Sequence, residues 1–325
     1  MELEECTVLY KNQKSWKEIE SFLPKEYEFN SDYKPQEEHW NWKGNNIHLD
    51  TFRNPDARAK IICFHGVGTN GRQISMIVGG PLAKNGFETI MADMPVYGMT
   101  EVNPKMQITY DDWVQCGSSL VDEELKKDSR PVFLYGLSAG GMETYHIAAE
   151  NGKVKGIIGM TFLDQREKQV QLTTASNKFW GITGAFLAKL SCAAGFGGFK
   201  IKMSIPSKMK TLVNNKECLK IMMDDPTSAG NKVTMKFLHS YITYTPDIEP
   251  EDFTVCPVLL TQPQKDGWTP QYLSDTFLDR IKRVPVTKKV LQNGSHYPIE
   301  KEALEDLQNH ILSFLKEQLK TIHRE

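Results

Sequence analysis

The residues with the clearest chemical potential are Gly136-Leu-Ser-Ala-Gly140, which follow the apolar run Pro131 to Tyr135 and precede Gly141 and a helix-length segment. A G-x-S-x-G set between a strand and a helix forms a sharp turn that projects the serine oxygen, and the flanking glycines remove Cβ atoms that would collide. Such a serine is a nucleophile only when a histidine takes its proton and an acid fixes the imidazole tautomer. His296, in Gln292-Asn-Gly-Ser-His-Tyr-Pro after the run Val286 to Leu291, is the expected base. His310 and His323 fall on the closing helix or its end. Asp266, after the run Pro257 to Thr261, is the expected acid, with Asp164 the alternative. The chain order Ser, Asp, His differs from that of the two best-known serine protease classes.

A second motif competes. His65-Gly66-Val-Gly68-Thr-Asn-Gly71 holds G-x-G-x-x-G directly after Ile61 to Phe64, and Asp93 follows 22 residues beyond Gly71. That is close to the spacing at which a dinucleotide site places its ribose-binding acid, so a nicotinamide-dependent oxidoreductase is the rival of a different class. Against it, the segment after Gly71 breaks again at Gly79-Gly80-Pro81, a poor phosphate-facing helix, and Ser138 is left without a role. The same loop of small residues can instead aim backbone N–H groups into a cleft as part of an oxyanion hole.

These residues need elements to position them. Apolar runs at Ile47 to Phe52, Lys60 to Phe64, Glu88 to Ala92, Pro131 to Tyr135, Val154 to Phe162, Pro257 to Thr261 and Val286 to Leu291 read as strands. Helix-length segments at Tyr110 to Lys127 and Gly141 to Asn151 alternate with them, the pattern of a largely parallel sheet covered on both faces. Residues 299 to 322 repeat leucine and isoleucine every three or four positions, an amphipathic closing helix. The rhythm stops over 164–245, which reads as an insertion. Residues 1–44 form an acidic leader, in which Ser15 and Glu18 have capping-box spacing ahead of an Ile19 to Leu23 helix. The core is then 45–163 with 246–325.

The 325 residues carry 39 basic and 41 acidic side chains, a net charge of −2, which excludes the basic excess of a nucleic-acid binder. That balance is a cancellation. The first forty residues hold five lysines against ten acids, whereas the insertion holds twelve basic residues against five acidic. No apolar leader is readable in Met1-Glu-Leu-Glu-Glu-Cys, and the six cysteines show no paired spacing, so a cytoplasmic address without disulfides or zinc is expected.

Taken together, His65-Gly66-Val67-Gly68, Gly136-Leu-Ser-Ala-Gly140, Asp266 and His296 resemble the α/β-hydrolase superfamily, and most closely its monoacylglycerol lipase, lysophospholipase and serine-aminopeptidase-like branch. Thr69-Asn70 and Leu137-Ser-Ala139 replace the Glu-His and His-Ser-Met common in that branch. The resemblance implies the α/β-hydrolase fold, with a helical lid inserted after the sixth strand. It implies a serine hydrolase that cleaves carboxylic esters through an acyl-enzyme on Ser138, with the backbone N–H groups of Val67 and Ala139 as oxyanion donors and no metal or organic cofactor. Thioesterase or aminopeptidase-like chemistry, and a non-catalytic binding member of the fold, are the alternatives. A small-molecule ester is the expected partner.

The insertion mixes its lysines with Phe179, Trp180, Ile182, Phe186, Leu187, Leu190, Phe196 and Phe199. It is expected to roof the site and select an acyl or anionic group, and to offer a peripheral contact to membrane surfaces. The bland alternative has the aromatic residues packing the insertion onto the core and the lysines facing solvent.

Overall fold

A computed structural model describes residues 9–31 and 33–322. The expectations about Met1 to Cys6 lie outside them. Along the chain, helix α1 (Ser15–Glu20) precedes the antiparallel hairpin β1 (Gln36–Trp42) and β2 (Asn45–Phe52). Then come β3 (Lys60–Phe64), α2 (Gly71–Ile74), a five-residue π-helical turn at Ser75–Gly79, α3 (Gly80–Lys84), β4 (Glu88–Ala92), α4 (Tyr110–Lys127), β5 (Val132–Gly136), α5 (Ala139–Asn151) and β6 (Ile157–Gly159). The insertion carries α6 (Lys168–Thr174), α7 (Lys178–Ala193), β7 (Lys200–Lys202), α8 (Lys216–Asp224), β8 (Lys232–Thr234) and α9 (Met235–Thr243). The core resumes with β9 (Val258–Pro263), α10 (Gln271–Leu278), β10 (Val286–Leu291) and α11 (Lys301–Ile322).

Eight strands form one sheet in the order β1-β2-β4-β3-β5-β6-β9-β10, parallel from β4 to β10. Every residue of β3, β4 and β5 is buried, so side chains on both faces are covered, as a central parallel sheet requires. Even Lys60 is buried, its ammonium 2.8 Å from Asp128 and donating to the Glu124 carbonyl at 2.6 Å. The edge strand β10 alternates exposed and half-buried residues over most of its length. This is the α/β-hydrolase fold.

Three expectations change. The sheet begins within the segment read as a leader, because β1 pairs with β2 along its whole length. The capping box at Ser15 does not form: α1 starts at Ser15, and Lys14 occupies the cap position without a side-chain bond. Reciprocal boxes are instead made by Asn70 with Gln73 and by Thr109 with Asp112. The insertion is also not purely helical, since β7 pairs antiparallel with β8.

Candidate active site

Ser138 closes the turn between β5 and α5 with φ 57° and ψ −122°, a left-handed conformation that costs a non-glycine residue about 1–3 kcal/mol. The turn is affordable only with small neighbours. A Cβ on Gly136 would overlap the Gly140 carbonyl, and one on Gly141 would strike the Thr161 oxygen at 2.0 Å. The strain holds the serine at the start of α5, where it lines a cavity of about 710 Å³, open mouth included.

Asp266 and His296 meet directly, with Oδ2 2.8 Å from Nδ1, and both side chains are buried. The carboxylate also receives the Trp268 and Thr269 N–H groups at 2.7 and 2.8 Å and the Thr269 hydroxyl at 2.6 Å. Burial pushes the Asp266 pKa up, but the charge and hydrogen bond of His296, together with these donors, hold it below the ordinary value. The proton of neutral His296 therefore sits on Nδ1, leaving Nε2 as a bare, buried acceptor without a partner among the described residues. The Trp268 ring lies 4.9 Å from the imidazole, and Trp268, Thr269 and Ser138 line the same cavity. No hydrogen bond joins Ser138 to His296 among the described residues, a common looseness in unliganded sites. Asp164 is not the partner of His296: it pairs with Arg166 at 2.7 Å, and Arg166 pairs in turn with Glu249.

The loop after β3 shows why Gly66, Gly68 and Asp93 resembled a dinucleotide site and how the structure uses them. The Asp93 carboxylate accepts the Gly71 N–H at 2.7 Å, the Met99 N–H at 2.9 Å and the Tyr10 hydroxyl at 3.0 Å, and lies 2.9 Å from His48. It is buried and its hydrogen-bonding capacity is taken up within the chain. Gly66 faces the serine turn and Gly68 faces Met209, so the glycines give close approach to protein rather than to a pyrophosphate.

Sequence reasoning missed the residues that aim the Val67 amide. His65 Nε2 faces the Met94 N–H at 3.0 Å and must accept, so its proton is on Nδ1 and is donated to the Gly66 carbonyl at 2.8 Å. Burial lowers the His65 pKa and keeps the ring neutral. The Gly66 carbonyl also accepts the Thr69 N–H at 3.2 Å, and the Tyr97 hydroxyl donates to the Val67 carbonyl at 2.7 Å. Because a peptide unit is planar and trans, holding the Gly66 oxygen fixes the direction of the Val67 N–H. Among the described residues, neither that N–H nor the Ala139 N–H is engaged in a hydrogen bond.

The rest of the cavity is mostly apolar, with Val67, Leu163, Ala175, Trp180, Leu238 and Ile242 set beside the polar Gln165, Gln171, Thr174, Ser207 and Tyr241, and among the described residues no charged side chain lines it. One wall is helix α7, through Trp180, Gly184 and Ala185, and another face of α7 is unusual. Phe179, Ile182, Phe186 and Leu190, spaced three or four apart, are 51–64% exposed, and Phe196 and Phe199 beyond the helix are exposed as well. No helix among the described residues is long and apolar enough to cross a membrane.

A strained serine after a parallel strand, with an Asp–His pair beyond later strands, places the chain among the α/β-hydrolases. Residues 55–302 match the family described as serine aminopeptidase, S33, and the chain belongs to that family. The solved monoglyceride lipase of Saccharomyces cerevisiae, a soluble variant in complex with a substrate analogue, is 16% identical and superposes with a TM-score of 0.73 over 91% of this chain and 99% of that one. The monoacylglycerol lipase of Paleococcus ferrophilus is 20% identical, with a TM-score of 0.62 over 84% and 99%. Est1E of Butyrivibrio proteoclasticus, solved with ferulic acid, is 18% identical, with a TM-score of 0.57 over 87% and 99%. Among curated proteins, none matches the sequence significantly.

Proposed function

We propose that this hydrolase cleaves carboxylic esters of small molecules bearing an acyl chain, through an acyl-enzyme on Ser138. The observation that carries the proposal is the strained Ser138 lining a mostly apolar cavity alongside Trp268 and Thr269, which hold the Asp266–His296 pair. Ser138 Oγ attacks the ester carbonyl as its proton passes to His296 Nε2. The Val67 and Ala139 N–H groups receive the oxyanion, a contribution of about a hundredfold or more from each donor. The alkoxide departs with the proton from His296, and water, deprotonated by the same nitrogen, releases the acid. Asp266 keeps the imidazole in the Nδ1–H tautomer throughout.

The lining favours esters over the aminopeptidase-like alternative, because a free α-amino group calls for a carboxylate and, among the described residues, the cavity offers none. For the same reason the basic residues of 164–245 suit an anionic surface around the site better than an anionic group inside it. The exposed α7 patch supports a peripheral contact between this lid and a lipid surface. A cytoplasmic address belongs to the same reading, supported by five described cysteines that are all unpaired.

A fluorophosphonate probe should label the protein, and Ser138→Ala should abolish labelling. A non-catalytic member of the fold would give no labelling in either form. A nicotinamide-dependent enzyme would give no labelling and a melting shift with NAD that Gly68→Val removes.

A further inference from the structure

One short segment of the insertion touches three of the loops that carry candidate catalytic groups, those of Val67, Asp266 and His296. Met209, Leu212 and Val213 are buried, as core residues are. At the oxyanion loop, the Met209 sulfur and the Leu212 side chain fill the space beside Gly68, so that a Cβ there would lie 2.5 Å from the sulfur. At the acid loop, Thr211 packs against Gly267, the residue after Asp266, and Asn214 Nδ2 donates to the Lys265 carbonyl at 3.2 Å. At the base loop, both neighbours of His296 are held: Tyr297 N–H donates to the Leu212 carbonyl at 2.7 Å, and Asn214 N–H donates to Ser295 Oγ at 3.0 Å. Ser295 Oγ donates onward to Glu300.

The segment is also tied to the roof of the cavity. The Thr174 carbonyl at the end of α6 accepts both the Lys208 N–H and the Trp268 indole N–H, each at 3.1 Å, and the Trp268 ring lies tilted against His296. The bond from Tyr297 N–H to the Leu212 carbonyl joins two buried residues, and a buried backbone group is costly to leave unpaired.

We infer that residues 208–214 are a positioning strap: although they belong to the insertion, they set the relative placement of the Val67 amide, Asp266 and His296. The inference rests on the hydrolase reading for its catalytic consequence, and it divides the insertion into a fixed part and an outer part, α6 and α7, that forms the roof. None of these side chains touches the reacting atoms; Ser295 and Met209 act through their neighbours.

Two variants of the full chain test the strap, Ser295→Ala at the base loop and Met209→Ala at the oxyanion loop, with Leu319→Ala in α11 as a destabilised control away from the site. With p-nitrophenyl butyrate, kcat and the rate of fluorophosphonate labelling should fall on the order of tenfold to a hundredfold while KM stays nearly constant. Ser295→Thr, which keeps the hydroxyl, should recover most of the rate. Losses no greater than those of Leu319→Ala at an equal melting shift would overturn the inference. Hydrogen exchange supplies a readout independent of activity: Met209→Ala should speed exchange in 64–71 and 292–298, and acceleration confined to 205–215 would also overturn it. An unlabelled wild-type protein would count against the hydrolase reading alone, with the exchange result still deciding whether the strap holds the loops.

Discussion

A Cβ built on Gly66 would lie 2.7 Å from the Cβ of Ser138 and 2.9 Å from the Leu137 carbonyl oxygen. The loop after β3 and the turn after β5 are thus in backbone-to-side-chain contact, which is what two oxyanion donors drawn from different loops require. Gly66→Ala should keep the fold, because the loop is anchored independently by His65, Thr69 and Tyr97, yet it must separate the loop from the serine. Turnover should drop on the order of a hundredfold with p-nitrophenyl butyrate, with far-UV circular dichroism unchanged. Wild-type turnover would show that the Val67 amide is not a donor.

Asp266→Asn offers a second test, because the amide can present its NH₂ to His296 Nδ1 and so favour the opposite tautomer. The Trp268 and Thr269 N–H bonds to the remaining oxygen can persist, leaving the local turn intact. A kcat loss on the order of ten-thousandfold with little change in KM is expected. Asp164→Asn, which disrupts an ion pair with Arg166 instead, should leave kcat within a few-fold, and a reversal of the two effects would exchange the assignments.

The legibility of this fold followed burial. The bounds of β3, β4, β10 and α4 could be read from apolar runs and turn residues, and for β3 and β4 the reason is that both sheet faces are covered, so the run is continuous. Strand β1, Gln36-Glu-Glu-His-Trp-Asn-Trp42, could not, because an edge strand with polar side chains has no such run. Ser138, Asp266 and His296 stand out as candidates in the sequence because each follows a strand. The supports of the site were not: Ser295 and Asn214 are 81 residues apart, and the Tyr97 hydroxyl reaches Val67 from 30 residues away. Nothing local marks such pairs.

Stability should respond to pH through His48. Burial alone would lower its pKa, but the Asp93 carboxylate 2.9 Å from Nδ1 and the hydrogen bond of Nε2 with Glu37 at 3.0 Å raise it to about 10. A base whose pKa is raised on folding stabilises fully below its unfolded value, about 6.5, and that stability is lost as pH rises towards 10. Between pH 7 and 8, below the main titration of thiols and phenols, the melting free energy should fall by up to about 1.4 kcal/mol per pH unit from this group. His48→Gln, although less stable at pH 7, should show a flatter dependence over that window. An unchanged slope in thermal melts would mean that His48 is not the titrating group.

The acyl reading of the cavity is tested at Gly184, which lines it from helix α7. A Cβ there meets only Trp180 at 3.8 Å, an ordinary contact, so a larger side chain can enter the space without displacing backbone. Gly184→Leu exchanges the poorest helix former short of proline for a good one, which offsets part of any packing loss. Its effect should therefore fall on substrate length rather than on folding. With p-nitrophenyl esters from two to sixteen carbons, the wild-type protein should retain kcat/KM well beyond four carbons. Gly184→Leu should keep the two-carbon rate and lose about tenfold or more on the long esters, the scale set by displacing a few methylenes from an apolar pocket. A steep wild-type fall beyond four carbons, or equal losses at every length in the variant, would place the acyl chain outside this cavity.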